Sequence, residues 1–551
     1  MLLFDDYKKD LLEEIKKIYS VSQNDMDING DYGDFTLKIF KFQNEKEEVY
    51  SKIKSALNKD YIENIELQGN YINFFIKPGK MFNVVEDSIE TFGMYPNTFQ
   101  DTSKALIEHT SSNPTGPIHV GRIRNSIIGD SIYRIINRFG TRSCTQYFVN
   151  DSGKQVISLY LGHVKYHKGE EMTVENLLDG YQKIYSNMEK DQSIKKEIQE
   201  LDERYERGDR ELISDIQKTA SIVLESITAS LEKLGIHIST YVWESNFILY
   251  GEVAALMDQL SEELKSEGNA KYLEIGDKKI FVTRQDGTSL YFARDLVYHM
   301  FKSQNFDWVI DVLGEDHKDH AKNLDYVLHN YLDFPSKIDY LFYGFVSLES
   351  GKMSTRKGNI ITVNDLYEKT VEESEKIIRE KRPDYPEETV NQISNAVASS
   401  SIRFNIVKIN ANKPLTFRWS EALNFEGDSA PFIMYAYARA CSVLSRAGNS
   451  RESNSKYNEY EKNLIKAMYL YPYYLQSSVD FLRADIIAGY MLYLVKSFNE
   501  FYLNCPVIGN EEEYKRIRLL KAFKRIMEDS SDLLGIRLLE KNLSSVFPFN
   551  Q

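Results

Sequence analysis

Residues 104–149 carry the sequence feature that most limits how this chain can fold. KALIEHT, from Lys104, is a compact apolar run typical of a buried strand, and the turn-rich SSNPTGP follows it. Apolar residues then recur at helical spacing until Gly140, and CTQYFVND indicates a second strand. A strand, a Gly/Pro-rich turn, a helix and a strand form a βαβ unit. We therefore predict an α/β fold with a Rossmann-like parallel sheet that binds a nucleotide.

The rest of the chain divides around this unit into three predicted domains. Residues 1–95 mix a helix with short alternating segments and predict a small α+β domain. Residues 96–370 hold the parallel sheet, and a long charged stretch at about 154–270 predicts a helical insertion within it. Residues 371–551 have the pattern of amphipathic helices almost throughout, so we predict an all-α domain. A chain of 551 residues is expected to form several cores.

The cysteine content and the apolar runs favour a cytoplasmic protein that does not span a membrane. Cys144, Cys441 and Cys505 are far apart, and their spacing gives neither a disulfide framework nor a zinc site. No apolar run approaches the roughly 20 residues that cross a bilayer. The N-terminal stretch MLLFDDYKKDLLEEIKKIY is amphipathic but carries acidic residues, which favours the first helix of the fold over a targeting leader.

The net charge of −14 is the bulk property that argues against an RNA partner. Net charge is a sum, however, whereas binding depends on local patches. One segment, KRIRLLKAFKR at residues 515–525, is locally basic, and it is either part of an RNA surface or the solvated face of a helix. The charge therefore weakens a nucleic-acid partner without excluding it.

The segment PIHVGR at residues 117–122 lies at the start of the predicted helix. A helix N-terminus exposes unpaired N–H groups and the positive end of the helix dipole, which suits a triphosphate. Gly121 lets a ligand approach the backbone, and His119 can donate a hydrogen bond to phosphate oxygens. Taken alone, the same pattern also fits an ordinary histidine that caps a helix.

The segment GKMSTRKG at residues 351–358 follows the predicted strand LFYGFVSL and holds three cations between two glycines. A cationic loop beside an anion site is what phosphate-transfer chemistry from ATP needs. Considered in isolation, the segment could equally be a solvated basic turn.

Together these two segments resemble the HIGH and KMSKS elements of class I aminoacyl-tRNA synthetases, in the expected order and separation. Further stretches resemble the arginyl-tRNA synthetases in particular, and the resemblance covers nearly the whole chain. They are IEHTSSNPTGPIHVGRIRNSIIGD, QYFVNDSGKQ, DGTSLYFARDLVYH, LGEDHKDH, GKMSTRKGN, APFIMYAYARACSVL, FYLNCPVI and LLGIRLLEKNL. The resemblance implies ATP-dependent activation of L-arginine and its transfer to the 3′ end of tRNA-Arg, with Mg²⁺ bridging the phosphates and no separate protein-bound metal.

The resemblance also assigns residues to the active site. Glu108 and Asn113 would hold the amino acid, while Tyr291 and Asp295, four residues apart on one helix face, would meet the guanidinium. Without the family, Asp295 could simply pair with Arg294 or a surface lysine. The residues expected at ATP are His119, Gly121, Arg122, Gly314, Asp316, His317, Lys352 and Met353. The expected catalytic residues are His119, Arg122, Lys352 and Lys357.

Two positions depart from the family pattern. Arg122 replaces the second histidine of HIGH with a longer and permanent cation. Thr355 replaces the second lysine of KMSKS, and the residues just before HIGH supply no lysine in compensation. Arg122, Arg356 and Lys357 are the candidates for the missing charge.

The terminal domains resemble the tRNA-binding modules of the family. Near the N-terminus, Tyr71 would stack on a D-loop base and Asn73 would bond its edge, although both also fit one face of a strand. In the C-terminal domain, Tyr435, Tyr437 and Arg439 are candidates for anticodon contacts, although a tyrosine stripe also fits a helical core. We predict a monomer that binds neither DNA nor a membrane.

Three other classes remain as alternatives. A class I synthetase for cysteine or glutamine is one, although a cysteine enzyme would need a thiolate–zinc site. A tRNA-binding regulator that has lost catalysis is the second, because HVGR and KMSTR are altered motifs. Small-molecule ligases that share HIGH are the third, and they do not need so long a helical C-terminal domain.

Overall fold

The computed structural model describes residues 6–28, 32–42, 44–90, 104–348, 361–448 and 456–540. Its first part is a four-stranded antiparallel sheet, ordered β1-β2-β4-β3, with helices that cover its apolar face. Phe35 and Leu37 from the second strand and Leu11 and Ile15 from the first helix are fully buried there. In chain order the elements are α1 (Asp6–Lys16), β1 (Met26–Ile28), β2 (Phe35–Lys38), α2 (Lys46–Ala56), β3 (Ile62–Gln68), β4 (Tyr71–Ile76) and α3 (Pro78–Glu90).

Residues 104–348 alternate strands with helices, as the sequence predicts for a nucleotide-binding fold. In chain order the elements are β5 (Lys104–Glu108), α4 (Val120–Arg138), β6 (Arg142–Val149), α5 (Lys154–Tyr166), α6 (Val174–Met188), α7 (Gln192–Glu206), α8 (Arg210–Lys233), β7 (Thr240–Trp243), α9 (Glu244–Leu249), α10 (Glu252–Gln259), β8 (Lys265–Glu267), β9 (Ala270–Ile275), β10 (Lys278–Phe281), α11 (Tyr291–Ser303), β11 (Trp308–Gly314), α12 (Lys318–Tyr331), β12 (Lys337–Tyr343) and β13 (Val346–Leu348).

Five of these strands form a parallel sheet in the order β12-β11-β5-β6-β7, which confirms the predicted Rossmann-like fold. The chain builds from β5 outward through β6 and β7, then returns to the other side of β5 to add β11 and β12. The strand order therefore reverses between β5 and β11. In open parallel sheets, ligands bind in the crevice outside the carboxyl ends of the strands at this switch point.

The stretch at about 154–270, predicted as a helical insertion, is helical only in part. Helices α5 to α8 form a layer with its own apolar core. Strand β7, however, pairs in parallel with Gln146–Val149 and so belongs to the main sheet. Strands β8, β9 and β10 add a small antiparallel sheet that continues past residue 270. The four-residue β7 is too short to produce a strong alternating pattern among the charged helices.

The C-terminal part is helical apart from β14, which pairs in parallel with β13. In chain order its elements are α13 (Val363–Lys381), α14 (Glu387–Val407), β14 (Leu415–Phe417), α15 (Trp419–Ala422), α16 (Ala430–Leu444), α17 (Glu459–Tyr469), α18 (Tyr471–Asp480), α19 (Ala484–Asn504) and α20 (Glu513–Leu534). A buried ion pair between Arg403 in α14 and Asp130 in α4, 2.5 Å apart, joins these helices to the sheet domain. Among the described helices, none is long and apolar enough to cross a membrane.

Candidate active site

The crevice at the carboxyl ends of β5 and β11 is bordered by residues predicted for both arginine and ATP. Glu108 ends β5 and pairs in register with Asp311 of β11, and Gly314 ends β11. The Asp316 carboxylate lies over Gly314, so a side chain at this position would force the exposed carboxylate to move. Asp316 and His317 are exposed in the 3₁₀ turn that follows, which joins β11 to α12.

The turn after β5 is strained. Thr110 and Ser111 have φ angles of 73° and 31°, a region that residues other than glycine rarely adopt. Such strain persists where neighbouring groups hold it. The Thr110 N–H donates to Asn125 Oδ1 at 2.7 Å, and the Thr110 hydroxyl donates to Ser126 Oγ at 2.8 Å. The Ser111 hydroxyl donates to Glu108 Oε1 at 2.7 Å, so this bend orients the carboxylate that ends β5.

Asn125 links this turn to the opposite strand, a role that the sequence did not predict. Its side-chain amide donates to the backbone oxygen of Val312 in β11 at 2.8 Å, while its oxygen accepts from Thr110. One residue of α4 thereby holds both walls of the crevice. Asn113, predicted to hold the amino acid, is exposed in the segment that leads from the turn to α4.

The N-terminus of α4 carries the predicted phosphate-binding residues. His119 is the N-cap residue, Gly121 is half-buried, and Arg122 is exposed in the first turn. Burial and the nearby Arg122 guanidinium lower the pKa of His119, so its ring is neutral near physiological pH and carries one N–H donor. The first turn of α4 therefore presents backbone and side-chain donors suited to an anion.

Lys352, Met353 and Lys357 lie outside the described residues, as does the whole GKMSTRKG segment. The residues that follow this segment are described and lie directly against the start of α4. The Val120 N–H donates to the backbone oxygen of Ile361 at 3.1 Å, and the Val363 N–H donates to that of Ile118 at 2.9 Å. The chain therefore returns from this segment at the predicted phosphate site.

Tyr291 and Asp295 lie one turn apart at the start of α11. The Asp295 carboxylate contacts His320 Nε2 in α12 at 2.7 Å, and the Tyr291 ring centroid is 6.4 Å from that of His320. Tyr291 is 63% exposed, and the Asp295 side chain is partly exposed. His320 lies in the LGEDHKDH stretch, but the sequence did not single it out as a partner of Asp295.

Arg294 does not form the alternative pair with Asp295 that the sequence allowed, because it points into the protein. Its guanidinium donates to Ser152 Oγ at 2.6 Å and lies 3.1 Å from the buried Glu244 carboxylate. Burial outweighs the attraction of Arg294 and raises the pKa of Glu244 to about 7. Glu206 of α7 lies 3.5 Å from the same guanidinium, so this cluster fixes the first turn of α11 against the inserted helices.

Lys302, at the other end of α11, is fully buried and was missed by the sequence analysis. Its ammonium lies 2.5 Å from Glu108 Oε2 and 2.7 Å from Asp311 Oδ1. His299 contacts the other Asp311 oxygen at 2.7 Å. The floor of the crevice is therefore a buried ion-pair cluster that joins α11 to β5 and β11.

The N-terminal sheet places its two predicted base contacts differently. Tyr71 is 40% exposed and meets the exposed Phe40 edge-on, with ring centroids 5.3 Å apart. Asn73 is only 1% exposed, and its side-chain oxygen accepts a hydrogen bond from Thr36 at 2.8 Å. The side chain of Asn73 is therefore enclosed by the sheet, and its contact with a base edge stays a prediction.

The C-terminal candidates are also buried. Tyr435, Tyr437 and Arg439 lie inside the helical bundle on α16, and Tyr437 is 2% exposed. The Arg439 guanidinium stacks on the Tyr435 ring at 4.1 Å, and the Tyr437 hydroxyl donates to Glu528 at 2.8 Å. These contacts match the alternative of a tyrosine-rich core, and direct anticodon contacts stay a prediction.

A large cavity within the described residues lies away from this crevice. It has a volume of about 540 Å³ and lies along the outer edge of β12, beside Tyr340, Asn410, Phe481 and Arg483, and none of the predicted substrate residues lines it. Across the described ranges, no group of three or more His, Cys, Asp or Glu side chains is arranged to hold a metal ion. The crevice between β5 and β11 is the candidate active site, because it lies at the switch point of the sheet and the predicted residues border it.

Comparison with known proteins identifies two family regions. Residues 84–419 match the family described as tRNA synthetases class I (R), catalytic domain, and residues 433–541 match the DALR anticodon binding domain. The chain is 48% identical over 550 residues to the arginine–tRNA ligase of Thermoplasma acidophilum, covering 98% of this chain and 100% of that protein. It is 34% identical over 498 residues to the arginine–tRNA ligase of Archaeoglobus fulgidus, covering 88% and 89% of the two chains.

Solved structures agree with the fold. The Thermus thermophilus arginyl-tRNA synthetase superposes with a TM-score of 0.82 at 22% identity, covering 98% of this chain and 100% of that chain. The arginyl-tRNA synthetase of Plasmodium falciparum superposes with a TM-score of 0.81 at 20% identity, covering 98% and 99%. At these identities the superpositions establish the architecture, and the sequence matches carry the assignment. On this evidence the chain belongs to the arginyl-tRNA synthetase family of class I aminoacyl-tRNA synthetases.

Proposed function

We propose that the chain attaches L-arginine to tRNA-Arg in two steps that consume ATP, acting as a monomer in the cytoplasm. The observation that best supports this proposal is the position of Tyr291 and Asp295. They lie at the same switch-point crevice as Glu108 and the N-terminus of α4, in a chain of this family. A carboxylate with an aromatic ring and the N-terminus of a helix therefore border one crevice, which supports the binding of arginine together with a nucleotide.

The arginine pocket rests on Asp295 and Tyr291. A guanidinium is planar and carries five N–H donors, so a carboxylate with an adjacent aromatic ring suits both its hydrogen bonds and its flat face. His320 holds one oxygen of Asp295 and thus orients the carboxylate before substrate binds. Glu108, at the end of β5, and Asn113, in the segment that leads to α4, would hold the amino acid as well.

The nucleotide would bind between the N-terminus of α4 and the turn after β11. We assign ATP contacts to His119, Gly121 and Arg122 in α4 and to Gly314, Asp316 and His317 after β11. Lys352, Met353 and Lys357 would join them from the GKMSTRKG segment. Lys357 is four residues before Ile361, which borders α4, so an extended chain places it within ~14 Å of that point.

The chemistry needs no covalent bond to the protein. The arginine carboxylate attacks the α-phosphorus of ATP, the α–β phosphoanhydride breaks, and pyrophosphate leaves. The 2′- or 3′-hydroxyl of the terminal tRNA adenosine then attacks the arginyl carbonyl carbon, and AMP leaves. His119 and the lysines would stabilise charge on the phosphates, so positioning and electrostatics supply most of the rate.

Mg²⁺ would accompany ATP in the first step, and Asp316 is the residue that would hold it. This ion is commonly held by one or two carboxylates together with substrate phosphates, and Asp316 offers one exposed carboxylate beside the crevice. When bound, Mg²⁺ would neutralise charge on the leaving pyrophosphate.

The two motifs depart from the family pattern, so the residues that supply positive charge at the phosphates need to be assigned one by one. Arg122 stands in place of the second histidine of HIGH, and it is exposed in the first turn of α4. We assign it a phosphate contact, since a guanidinium can bind phosphate oxygens in a bidentate manner. Arg356 and Lys357 are the candidates to replace the lysine that Thr355 displaces.

The tRNA would bind across the N-terminal sheet and the C-terminal helices. Tyr71, with Phe40 against it, is the exposed aromatic site for an unstacked base, while Asn73 supports the sheet from inside. Tyr435, Tyr437 and Arg439 would shape the bundle surface from beneath. We propose no DNA or membrane partner. The three free cysteines are consistent with a reducing compartment.

A charging assay with purified tRNA fractions tests the function. We expect arginine to be attached to tRNA-Arg and no other amino acid to be attached to any tRNA. ATP–pyrophosphate exchange should be measured with each amino acid in the presence and absence of tRNA, because members of this family are expected to need tRNA for exchange. Charging with cysteine or glutamine would assign another specificity, and tRNA binding without charging would identify a regulator.

A further inference from the structure

Arg294 is a buried cation in the first turn of α11, between the two residues proposed to bind the guanidinium of the substrate. It follows Tyr291 by three residues and directly precedes Asp295, but its own side chain points into the protein and is only 4% exposed. Its Nη1 donates to Ser152 Oγ at 2.6 Å, and its Nη2 donates to the backbone oxygen of Ser289 at 3.3 Å. Arg294 therefore anchors the turn that carries both proposed guanidinium contacts.

Glu244, the first residue of α9, is the buried carboxylate closest to this anchor. Its Oε1 lies 3.1 Å from Arg294 Nη1, and its Oε2 accepts a hydrogen bond from the Ser152 hydroxyl at 2.7 Å. Ser152 therefore bridges the pair, because it accepts from Arg294 and donates to Glu244. Glu206 of α7 is the second carboxylate at the guanidinium, at 3.5 Å. Glu244 thus makes the shorter ion pair and shares a hydroxyl with Arg294.

The charged and titratable groups that face Glu244 belong to three packed elements. Arg294 attracts the Glu244 carboxylate, whereas Asp295 and Asp151 repel it. Tyr205 is neutral, because burial raises its pKa well above the usual value. The full set consists of Arg294 and Asp295 on α11, Tyr205 and Glu206 on α7, and Asp151 in the turn after β6.

The charge of Glu244 changes near neutral pH. Because burial raises the pKa of Glu244 to about 7, the carboxylate is ionised at pH 8.5 and mostly protonated at pH 6. Burial also raises the pKa of Asp151, to about 6, so Asp151 takes up its proton at a lower pH than Glu244 does. Protonation removes the charge of Glu244 and with it the attraction for the buried Arg294 guanidinium. The anchor of α11 is therefore stronger at the higher pH.

We propose that Glu244 is a positioning residue for arginine binding, whose ionised carboxylate fixes Arg294 and thereby the first turn of α11. It touches no reacting atom and acts on the substrate only through α11. This inference rests on the proposed function, because it assumes that Tyr291 and Asp295 bind the guanidinium of arginine. If arginine binds more tightly when Glu244 is ionised, then by linkage arginine binding also releases a proton from Glu244 near pH 7.

The first test compares the wild-type full chain with Glu244→Gln, because an amide has the shape of a protonated carboxyl group and does not ionise. At pH 8.5 we expect the KM for arginine in tRNA charging to be about 10-fold higher in the variant. At pH 6 the two KM values should approach each other, since Glu244 is then mostly protonated in the wild type. The KM for ATP should not differ at either pH, because the described residues assigned to ATP lie on α4 and after β11.

The second test counts the protons released when arginine binds. Calorimetry at pH 7, with tRNA-Arg present and in two buffers of different ionisation enthalpy, gives this number for each chain. We expect the wild type to release more protons for each bound arginine than Glu244→Gln does. His320 contacts Asp295 in both chains, so its contribution cancels in the difference. A purely structural role for Glu244 would leave the proton release equal in the two chains.

Glu225→Gln is the matched control, since Glu225 is an exposed carboxylate on α8. It should leave both KM values and the proton release unchanged. Three results for Glu244→Gln would each overturn the proposal: a wild-type KM for arginine at pH 8.5, a KM for arginine that stays about 10-fold raised at pH 6, or equal rises in the KM values for arginine and ATP.

Ser152→Ala is the second variant and is used if Glu244→Gln does not fold. It removes the hydroxyl that bridges Arg294 and Glu244 and leaves both charges in place. The KM for arginine should rise about 3-fold at pH 8.5 with the KM for ATP unchanged, as is typical for the loss of one hydrogen bond. A Ser152→Ala chain with the wild-type KM for arginine would contradict the role of this cluster.

Failure of the inference is distinguishable from failure of the proposed function. A wild-type chain that does not charge tRNA with arginine would refute the function. If the wild type charges tRNA with arginine and the ratio of the two arginine KM values does not depend on pH, only the role of Glu244 is refuted.

Discussion

The crevice between β5 and β11 and the bundle around α16 contain similar residue types in opposite settings. In the crevice, Tyr291 is largely exposed and the Asp295 carboxylate faces solvent in part. In the bundle, Tyr435, Tyr437 and Arg439 are buried and bonded to protein partners, as in the 3.0 Å hydrogen bond from Arg439 to the Tyr435 hydroxyl. Aromatic and charged residues therefore indicate a binding site only where the fold leaves them open to a ligand.

The position of each group in its helix explains the difference. Tyr291 is the first residue of α11 and borders the open end of a parallel sheet. The α16 residues lie mid-helix, where α14, α19 and α20 surround them. We expect substitutions in the crevice to change substrate use with little effect on stability, and substitutions in the bundle to do the reverse.

The largest expected effect is that of Asp295→Ala. Without the carboxylate, the guanidinium of the bound arginine lacks a hydrogen-bond partner. A loss of this kind lowers kcat/KM for arginine by a factor on the order of 10⁴. ATP affinity should be retained, which calorimetry of ATP binding can measure. Asp325→Ala on α12 is the control, because the Asp325 carboxylate is half-exposed and pairs with His329 on the same helix. Equal losses of arginine and ATP affinity would contradict the assignment.

The largest expected stability effect is that of Glu461→Ala in the bundle. Glu461 is fully buried and contacts Arg516 at 2.8 Å and Lys515 at 3.0 Å. Its removal leaves two buried cations without that partner and should lower the free energy of unfolding by about 3–5 kcal/mol. Denaturant unfolding measures this loss. If Glu461→Ala changed the KM for arginine and left the stability unchanged, the proposed difference between the two regions would be wrong.

The pH dependence of stability should depend on His109, which is buried between the end of β5 and α4. Burial lowers the pKa of His109 from 6.5 to about 4. Between these values the unfolded chain binds the proton and the folded chain does not, so stability falls as the pH falls. At about pH 5 the loss from this group is about 2 kcal/mol relative to neutral pH. Urea unfolding should show this extra loss in the wild type and not in His109→Gln, and parallel profiles would contradict it.

The smallest expected effect is that of Tyr437→Phe. The substitution removes the hydroxyl that donates to Glu528 and leaves the ring in the core. Stability should fall by about 1 kcal/mol, as is typical for one hydrogen bond. The KM for tRNA-Arg should stay the same if Tyr437 is a core residue. A large rise in the KM for tRNA-Arg with normal stability would instead indicate that Tyr437 contacts the anticodon.

The parallel sheet was predictable because its signals are local. KALIEHT, SSNPTGP and the helix after PIHVGR lie within one continuous segment, and the structure has β5, the strained turn and α4 there. Strand β7 was not predictable. It has only four residues, two exposed and two partly buried, so its sequence shows no alternation of polar and apolar residues. A short strand at the edge of a sheet forms because it pairs with the neighbouring strand. The neighbour of β7 is β6, which lies far earlier in the chain, so the local sequence does not reveal the pairing.

The site was predictable in part for the same reason. Glu108, His119 and Asp295 lie in stretches whose residue order resembles the family. Lys302, in contrast, has the pattern of a surface cation in the last turn of a helix, a common position for lysine. Its partner Glu108 lies 194 residues away, so only the folded chain reveals the pair. The buried setting of Asn73 and of the α16 tyrosines likewise depends on distant elements.

The most direct test of the central claim is the structure of a complex with a non-hydrolysable arginyl-adenylate analogue. We predict that the guanidinium lies between Tyr291 and Asp295, that His119 meets the phosphate, and that Lys352 approaches the same nucleotide. A ligand bound elsewhere, with either Asp295 or Lys352 more than two helical turns (~11 Å) from it, would contradict the account.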